Sequence, residues 1–250
     1  MVTLELPTVS FATNCWEKDW RFILSDPAYL REKQIENHRF RFTEKILVIN
    51  NVDCLSDVVE AGRKKIDEGV LTRLVIEEEI APELLQFFQL KRGRDFTPRY
   101  RDADEDYIYH NTLGPLAAIY SCRSDYLLFL RGDVRLDQPV SWIEQALQLM
   151  QKNSLYKNAT LCWDGKYSEA RCELPCPEEG GQDFYCCRGS LSDQLFLVKT
   201  TDFRAPIYHN IRPILFPKGD IFEKRATSAM LDRGWLRLNC VKGTYIHQNF

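Results

Sequence analysis

The sequence predicts an α/β fold: a mostly parallel sheet with helices on both faces. Two observations carry this expectation. Through the first 150 residues, short apolar runs alternate with segments of helical periodicity, the pattern of strands joined by crossover helices. Tyr126–Leu130 (YLLFL) is the most hydrophobic run in the chain. It is too short for a core helix and reads as a strand buried on both faces.

The elements follow in order. Val9–Thr13 reads as a strand, with a Trp-rich helix from about Glu17. Lys45–Asn50 (KILVIN) is a second strand, after which Leu55, Val58, Val59 and Ile66 recur at helical spacing. Leu74–Ile76 is a third strand. The next helix is expected to open at Pro82, which fits a first turn because that position needs no N–H, and to continue through Leu84, Leu85, Phe87 and Phe88. Leu116–Tyr120 is helical, YLLFL follows, and Trp142, Ala146, Leu147 and Met150 mark a helix after Pro139. The pattern changes after about Asn153, where Cys162, Cys172, Cys176, Cys186 and Cys187 mix with Pro175, Pro177 and Gly180-Gly181. Gln194–Val198 gives another strand, and a helix from about Phe222 ends at Gly234.

Composition narrows the class. Thirty-three basic against 36 acidic residues leave a net charge of −3 and a pI near 5.9, which argues against a nucleic-acid binder with a broad basic face. Fourteen Phe, 11 Tyr and 5 Trp argue against disorder. No run of about 18 apolar residues predicts a membrane-spanning helix. Met1–Pro7 carries Glu5 and no basic start, so it does not read as a secretory signal. The nine cysteines are therefore expected as thiols in a reducing, cytoplasmic setting, and an odd count resists complete pairing within one chain.

In sheets of this type ligands bind beyond the carboxyl ends of the strands. That directs attention to Thr13-Asn14, Asn50–Asp53, Glu77–Glu79 and Arg131–Asp133. No GxGxxG follows the first strand, and neither GxxxxGK[ST] nor GxSxG occurs; dinucleotide, P-loop and serine-hydrolase sites are not supported. Asp133 leaves the buried strand where it can hold a hard divalent cation against a diphosphate or cap the turn that follows. Arg131-Gly132-Asp133 also spells an adhesion triplet, discounted because it leaves a buried strand. Cys172, Cys176, Cys186 and Cys187 could bind structural zinc, although their spacing departs from paired CxxC motifs and free thiols are the plainer reading. Asp102-x-Asp104-x-Asp106 begins like a calcium loop but has Tyr107 and Leu113 where Gly and Glu are required, so an acidic loop is expected. Asn158-Ala159-Thr160 is a glycosylation sequon, without meaning in the cytoplasm. His110 and His209 read as satisfied surface or core residues.

Three stretches carry a resemblance. Tyr126–Leu136 (YLLFLRGDVRL), reached after a helix containing Ala117 and Ala118, is similar to the centre of glycosyltransferases of the GT-A fold, the nucleotide-diphospho-sugar transferases, family-2-like and divergent. In that family the strand usually ends in Asp-x-Asp; here Arg131 takes the first position and Asp133 the last. Val9–Trp16 (VSFATNCW) resembles the first strand and base-binding loop. Phe222–Trp235 (FEKRATSAMLDRGW) resembles the helix that opens with an acidic pair, with Phe222 and Glu223 in those places. His247 matches a late histidine that binds metal or phosphate in some members. Asn50-Asn51 stand where the family often has acidic residues.

The resemblance implies a GT-A-like, Rossmann-type mixed sheet in a single domain. Residues 1–150 would form the nucleotide-sugar-binding half and 151–250 the acceptor-binding half. It implies a metal-assisted, inverting transfer of a sugar from a UDP- or GDP-linked donor to a glycan or other hydroxyl acceptor: Asp133 and His247 would share Mn²⁺ or Mg²⁺, while Arg131 offers a fixed positive charge that lessens the need for it. Ala12, Thr13, Asn14, Asn51, Asp53, Arg131 and Asp133 would bind the donor. Glu223 would act as the base of an inverting transfer; its alternative is a capping box with Asp220. A sugar-nucleotide-binding or regulatory protein that has lost turnover is the alternative function, and a zinc-stapled interaction module a third.

Overall fold

The computed structural model describes residues 7–96, 105–171, 174–175, 183–211 and 221–248. Strands and helices are numbered in chain order. Strand β1 (Val9–Cys15) is buried at all seven positions. It runs parallel to β2 (Glu44–Ile49) on one side and to β4 (Tyr126–Leu130) on the other. β3 (Arg73–Ile76) extends the parallel set beyond β2. On the far side of β4 lie β9 (Leu195–Lys199), antiparallel to it, and β6 (Tyr156–Trp163), antiparallel to β9. β10 (Leu236–His247) then runs parallel to β6, and the antiparallel strands β8 (Phe184–Arg188) and β7 (Leu174–Pro175) follow. The order is β3-β2-β1-β4-β9-β6-β10-β8-β7.

Alternate residues of the parallel strands feed opposite cores. Phe11, Leu47, Ile49, Leu128 and Leu130 face one apolar cluster, and Ala12, Ile46, Val48, Leu127 and Phe129 face the other. Runs such as KILVI and YLLFL are continuous because both faces are covered. Helices α1 (Trp20–Ser25), α2 (Leu55–Asp67) and α5 (Ile143–Lys152) pack on the first face. Helices α3 (Glu77–Phe88), α4 (Glu105–Ser121) and α8 (Ile221–Asp232) pack on the second. Phe129 stacks on Phe196 of β9 at 5.0 Å between ring centroids, and truncating such a buried ring costs about 3–5 kcal/mol. The short helices α6 (Tyr167–Arg171) and α7 (Thr200–Phe203) complete the set.

Several expectations need correction. α3 opens at Glu77, not at Pro82. Three glutamates fill its first turn, where the helix dipole favours negative charge. Pro82 lies inside the helix and forgoes only a bond to the carbonyl of Glu78, an exposed residue. Tyr29–Ile35 forms a π-helical turn that periodicity does not announce. The cysteine-bearing second half contains the long strands β6 and β10. β10 breaks register with β6 between Cys240 and Thr244. Its last residues leave the main sheet and pair with β5 (Val134–Arg135), His247 opposite Val134. This excursion carries the chain's end to the end of β4.

The remaining motifs find local explanations. Cys172, Cys176, Asp102, Asp104 and Asp220 lie outside the described residues. Cys186 and Cys187 stand side by side on β8 without a disulfide, and neighbours on a strand point to opposite faces. Asp106 pairs with Arg92. Asn158 is fully buried, and its side-chain amide donates to the Ser190 carbonyl at 3.1 Å; the sequon is closed in the folded chain. His209 Nδ1 lies 3.1 Å from the Pro206 carbonyl. No helix among the described residues is long and apolar enough to cross a membrane.

Candidate functional site

The carboxyl ends of β1, β2 and β4 open into a cavity of about 400 Å³. Asn14 and Trp16 enter it from β1, Asn50 and Asn51 from β2, Tyr107 and His110 from α4, and Arg131 and Asp133 from the turn after β4. His247 at the end of β10 closes that side. Polar and charged residues predominate in the lining, and their apolar atoms supply about half of the wall.

The Arg131–Gly132–Asp133 turn is held from behind. Gln34, in the π-helical turn, donates its amide to the carbonyls of Arg131 (3.0 Å), Gly132 (3.0 Å) and Val134 (2.8 Å). The Tyr29 hydroxyl donates to the Gly132 carbonyl at 2.9 Å. π-helical turns recur at functional sites because they re-aim side chains, and here one aims two residues at one turn. Gly132 packs against β1: a Cβ built on it would stand 2.2 Å from the Asn14 carbonyl oxygen and 2.7 Å from Ile23 Cδ1. Only glycine fits this approach.

Charge gathers at that end. Asp133 Oδ2 lies 2.9 Å from His247 Nε2, and Gln194 Nε2 lies 3.3 Å from His247 Nδ1. The hydrogen bond to Asp133 holds the His247 pKa above the usual imidazole range. Asp133 Oδ1 is buried and has no hydrogen-bond partner. Arg131 pairs with Asp193, so its charge is already neutralised in part. Asp19 is 2% exposed and lines the same cavity. It accepts from the Trp16 amide at 2.8 Å. Burial, assisted by the nearby Asp133 charge, pushes its pKa up to about 7.

The opposite end carries a chain of polar contacts. Glu77 Oε2 lies 2.8 Å from His110 Nδ1. Asn50 donates its amide to the His110 carbonyl at 3.1 Å, Asn14 donates to Asn50 Oδ1 at 3.4 Å, and the Gly132 amide donates to Asn14 Oδ1 at 3.2 Å. One continuous relay therefore joins the end of β3 to the turn of Asp133. Trp16 and Tyr107 meet edge to face at 6.0 Å and supply aromatic surface beside it. Asn51 sits in the left-handed region, φ 48°, a conformation that asparagine tolerates. Its carbonyl accepts from the Glu17 amide at 3.1 Å.

Of the residues expected from sequence, Asn14, Asn51, Arg131, Asp133 and His247 converge on this cavity. Ala12 and Thr13 do not: both are fully buried within β1. Asp53 is exposed, with its amide donating to Glu17 Oε2 at 2.9 Å. Glu223, in the first turn of α8, lines a second cavity of about 400 Å³ with Thr160, Trp163, Arg237, Asn239 and Tyr245. The two cavities share a wall. Ser192 faces the second and bonds Tyr245 at 3.3 Å, while the adjacent Asp193 pairs with Arg131 of the first. Tyr245 and His247, two apart on β10, border one cavity each. Sequence reasoning points to Glu77 at a strand end and to Trp16 within the base-binding-loop resemblance, and misses Asp19 and the pairing of Glu77 with His110. Glu77 follows a strand directly, which was the available signal; Asp19 had none.

The residues fit a divalent cation within limits. Among the described residues no three His, Cys, Asp or Glu side chains converge as a metal cage. Mg²⁺-type ions are commonly held by one or two carboxylates and completed by substrate phosphates, and Asp133, with its unpartnered Oδ1, and His247 match that smaller set.

No protein-family model matches the sequence, and no curated protein matches it. Solved structures do match the fold. GalNAc-T7 with UDP, GalNAc and Mn²⁺ aligns with a TM-score of 0.55 at 12% identity, covering 98% of this chain and 44% of that one. The mannosyltransferase PcManGT from Pyrobaculum calidifontis, in complex with GDP-Man and Mn²⁺, aligns with a TM-score of 0.53 at 9% identity, covering 98% and 57%. The chain has the GT-A fold. It spans about half the length of these two proteins. The mixed sheet with helices on both faces is thereby the architecture the sequence predicted.

Proposed function

We propose that the chain is a glycosyltransferase that moves a sugar from a UDP- or GDP-linked donor to an acceptor hydroxyl. The observation that carries this is the cavity at the strand ends. It joins aromatic and amide groups at one end to Asp133 and His247 at the other, a layout matching a base followed by a diphosphate. Residues 1–150 form the donor half in this reading and 151–250 the acceptor half, with His247 reaching across. Asp133 and His247 would hold Mn²⁺ or Mg²⁺, which supplies positive charge against the leaving diphosphate. Asn14 and Asn51 contact the nucleoside, and Arg131, paired with Asp193, lies beside the phosphates.

The second cavity receives the acceptor. Its wall mixes apolar and polar groups and is balanced in charge, with Lys166 and Arg237 against Glu169 and Glu223. The Asn239 amide nitrogen and Arg237 Nε are buried without partners, so they offer donors to acceptor oxygens. In the transfer the acceptor oxygen bonds the anomeric carbon as the carbon–oxygen bond to the diphosphate breaks. The hydroxyl proton passes to the Glu223 carboxylate, and attack opposite the leaving group inverts the centre. The free thiols, Cys15, Cys122 and Cys240 among them, support a reducing, cytoplasmic setting.

The test is a thermal-shift screen of nucleoside diphosphates and nucleotide sugars with and without Mn²⁺. UDP or GDP should raise Tm, more so with Mn²⁺. No shift with any nucleotide at millimolar concentration would remove the assignment.

A further inference from the structure

We propose that the Glu77–His110 pair reads the base of the donor and selects bases that carry an imino N–H beside a carbonyl, uracil or guanine, over cytosine and adenine. The inference rests on the donor-site reading above.

Glu77 is the first residue after β3, with a side chain only 1% exposed. Its Oε2 contacts His110 Nδ1 at 2.8 Å, and its Oε1 is buried without a partner. Among the described residues one side chain satisfies this enclosed carboxylate, the His110 imidazole, through its N–H. The carboxylate therefore fixes the proton on Nδ1 and leaves Nε2 as a lone pair. The ring also meets Tyr109 edge to face at 5.0 Å, so it is held on two sides, and the backbone beneath it is fixed where Asn50 donates to the His110 carbonyl. His110 borders the cavity, and among the described residues nothing hydrogen-bonds to Nε2.

The position is that of a base. His110 and Asn50 stand at the β2–β3 side of the cavity, and Asp133 stands at the β4 side. Trp16 and Tyr107 provide the aromatic surface at the same end as His110. A fixed lone pair accepts from uracil N3–H or guanine N1–H. It faces another lone pair at cytosine N3 or adenine N1, which leaves two acceptors opposed. His110 is the specificity residue, and Glu77 is a positioning residue that acts through it.

The test is calorimetric titration of the purified chain, with Mn²⁺, against UDP, GDP, CDP, ADP and N3-methyl-UDP, with inorganic pyrophosphate as the base-free probe. UDP or GDP should bind at least about tenfold more tightly than CDP and ADP, and N3-methylation should weaken UDP by a similar factor. His110→Ala and Glu77→Gln should each compress that discrimination to within about threefold while leaving pyrophosphate affinity unchanged. Nitrogen-15 spectra of His110 should show the Nδ1–H tautomer in the native chain and a mixture in Glu77→Gln. Equal affinity for all four diphosphates, unchanged binding of N3-methyl-UDP, or full discrimination in His110→Ala would overturn the proposal while leaving the donor site standing. Failure of every nucleotide and of pyrophosphate would instead sink the donor-site reading on which it rests.

Discussion

Asp133 and His247, 114 positions apart in the chain, meet at 2.9 Å between Oδ2 and Nε2. The contact exists because β10 breaks register after Cys240 and pairs its last residues with β5. It ties the end of the second half to the turn that follows β4.

This pair makes two pH statements. The His247 pKa is raised above 6.5 by its bond to Asp133. The pair's contribution to folding is therefore fully present below about 6.5 and lost as pH rises through the raised value. Cation binding runs the other way, since the proton must leave the imidazole before it can ligate. The enhancement of UDP or GDP binding by Mn²⁺ should grow as pH rises through that pKa. Asp133→Asn should weaken Mn²⁺-dependent binding at least about tenfold and return the His247 titration, followed by NMR, toward its ordinary value. Unchanged affinity and titration would leave Asp133 as a turn residue only.

Asp19 gives an independent titration. Its folded pKa of about 7 lies far above the unfolded value of 3.8, so the folded chain holds a proton that the unfolded chain has lost. Stability then falls as pH rises between those values. Asp19→Asn keeps an oxygen for the Trp16 amide and removes the buried charge. Its denaturation midpoint should match wild type near pH 4 and exceed it at pH 8 by roughly 1–3 kcal/mol. A variant less stable at pH 8 would show that the ionised carboxylate is favourable where it sits.

Gly132→Ala tests the close approach of the turn to β1. The new methyl would fall 2.2 Å from the Asn14 carbonyl oxygen, a backbone atom in a central strand that cannot swing aside. The turn must shift, at a cost of about 1–3 kcal/mol, and Asp133 moves with it. Urea titration should show the loss of stability, and nucleotide binding should weaken beyond what the lost stability explains. A variant with native stability would mean that the turn yields freely.

The parallel half of the fold was legible because burial on both faces writes itself as unbroken apolar runs, as in KILVI and YLLFL. β6 and β10 were not, because their runs are interrupted by the buried Asn158 and by Thr160, Arg237 and Asn239, which serve a cavity and obscure the strand pattern. At the site, Asp133 was legible from its place after a buried strand and His247 from resemblance alone. Glu77 was legible from its place after a strand, whereas Gln34, Asp19 and His110 gained their places through packing between distant segments. The contacts of Gln34 and Gly132 span 98 positions, and local spacing carries no trace of them. Ala12 and Thr13 lie within a strand covered on both faces, and from β1 it is Asn14, near its end, that reaches the cavity.

Glu223 separates binding from chemistry. It stands in the first turn of α8 and lines the second cavity, while the first is built at the ends of β1, β2 and β4. Glu223→Gln preserves shape and hydrogen-bonding capacity, and should leave stability within about 1 kcal/mol of wild type. Gln has no lone pair basic enough to take a hydroxyl proton. If Glu223 is the base, sugar transfer should fall by roughly 10²-fold or more while UDP or GDP affinity stays constant. Rate against pH should also lose its acidic limb, which reports ionisation of the base. Transfer at the native rate would remove Glu223 from the chemistry and move the role to Asp193, the carboxylate that pairs with Arg131 in the wall between the two cavities.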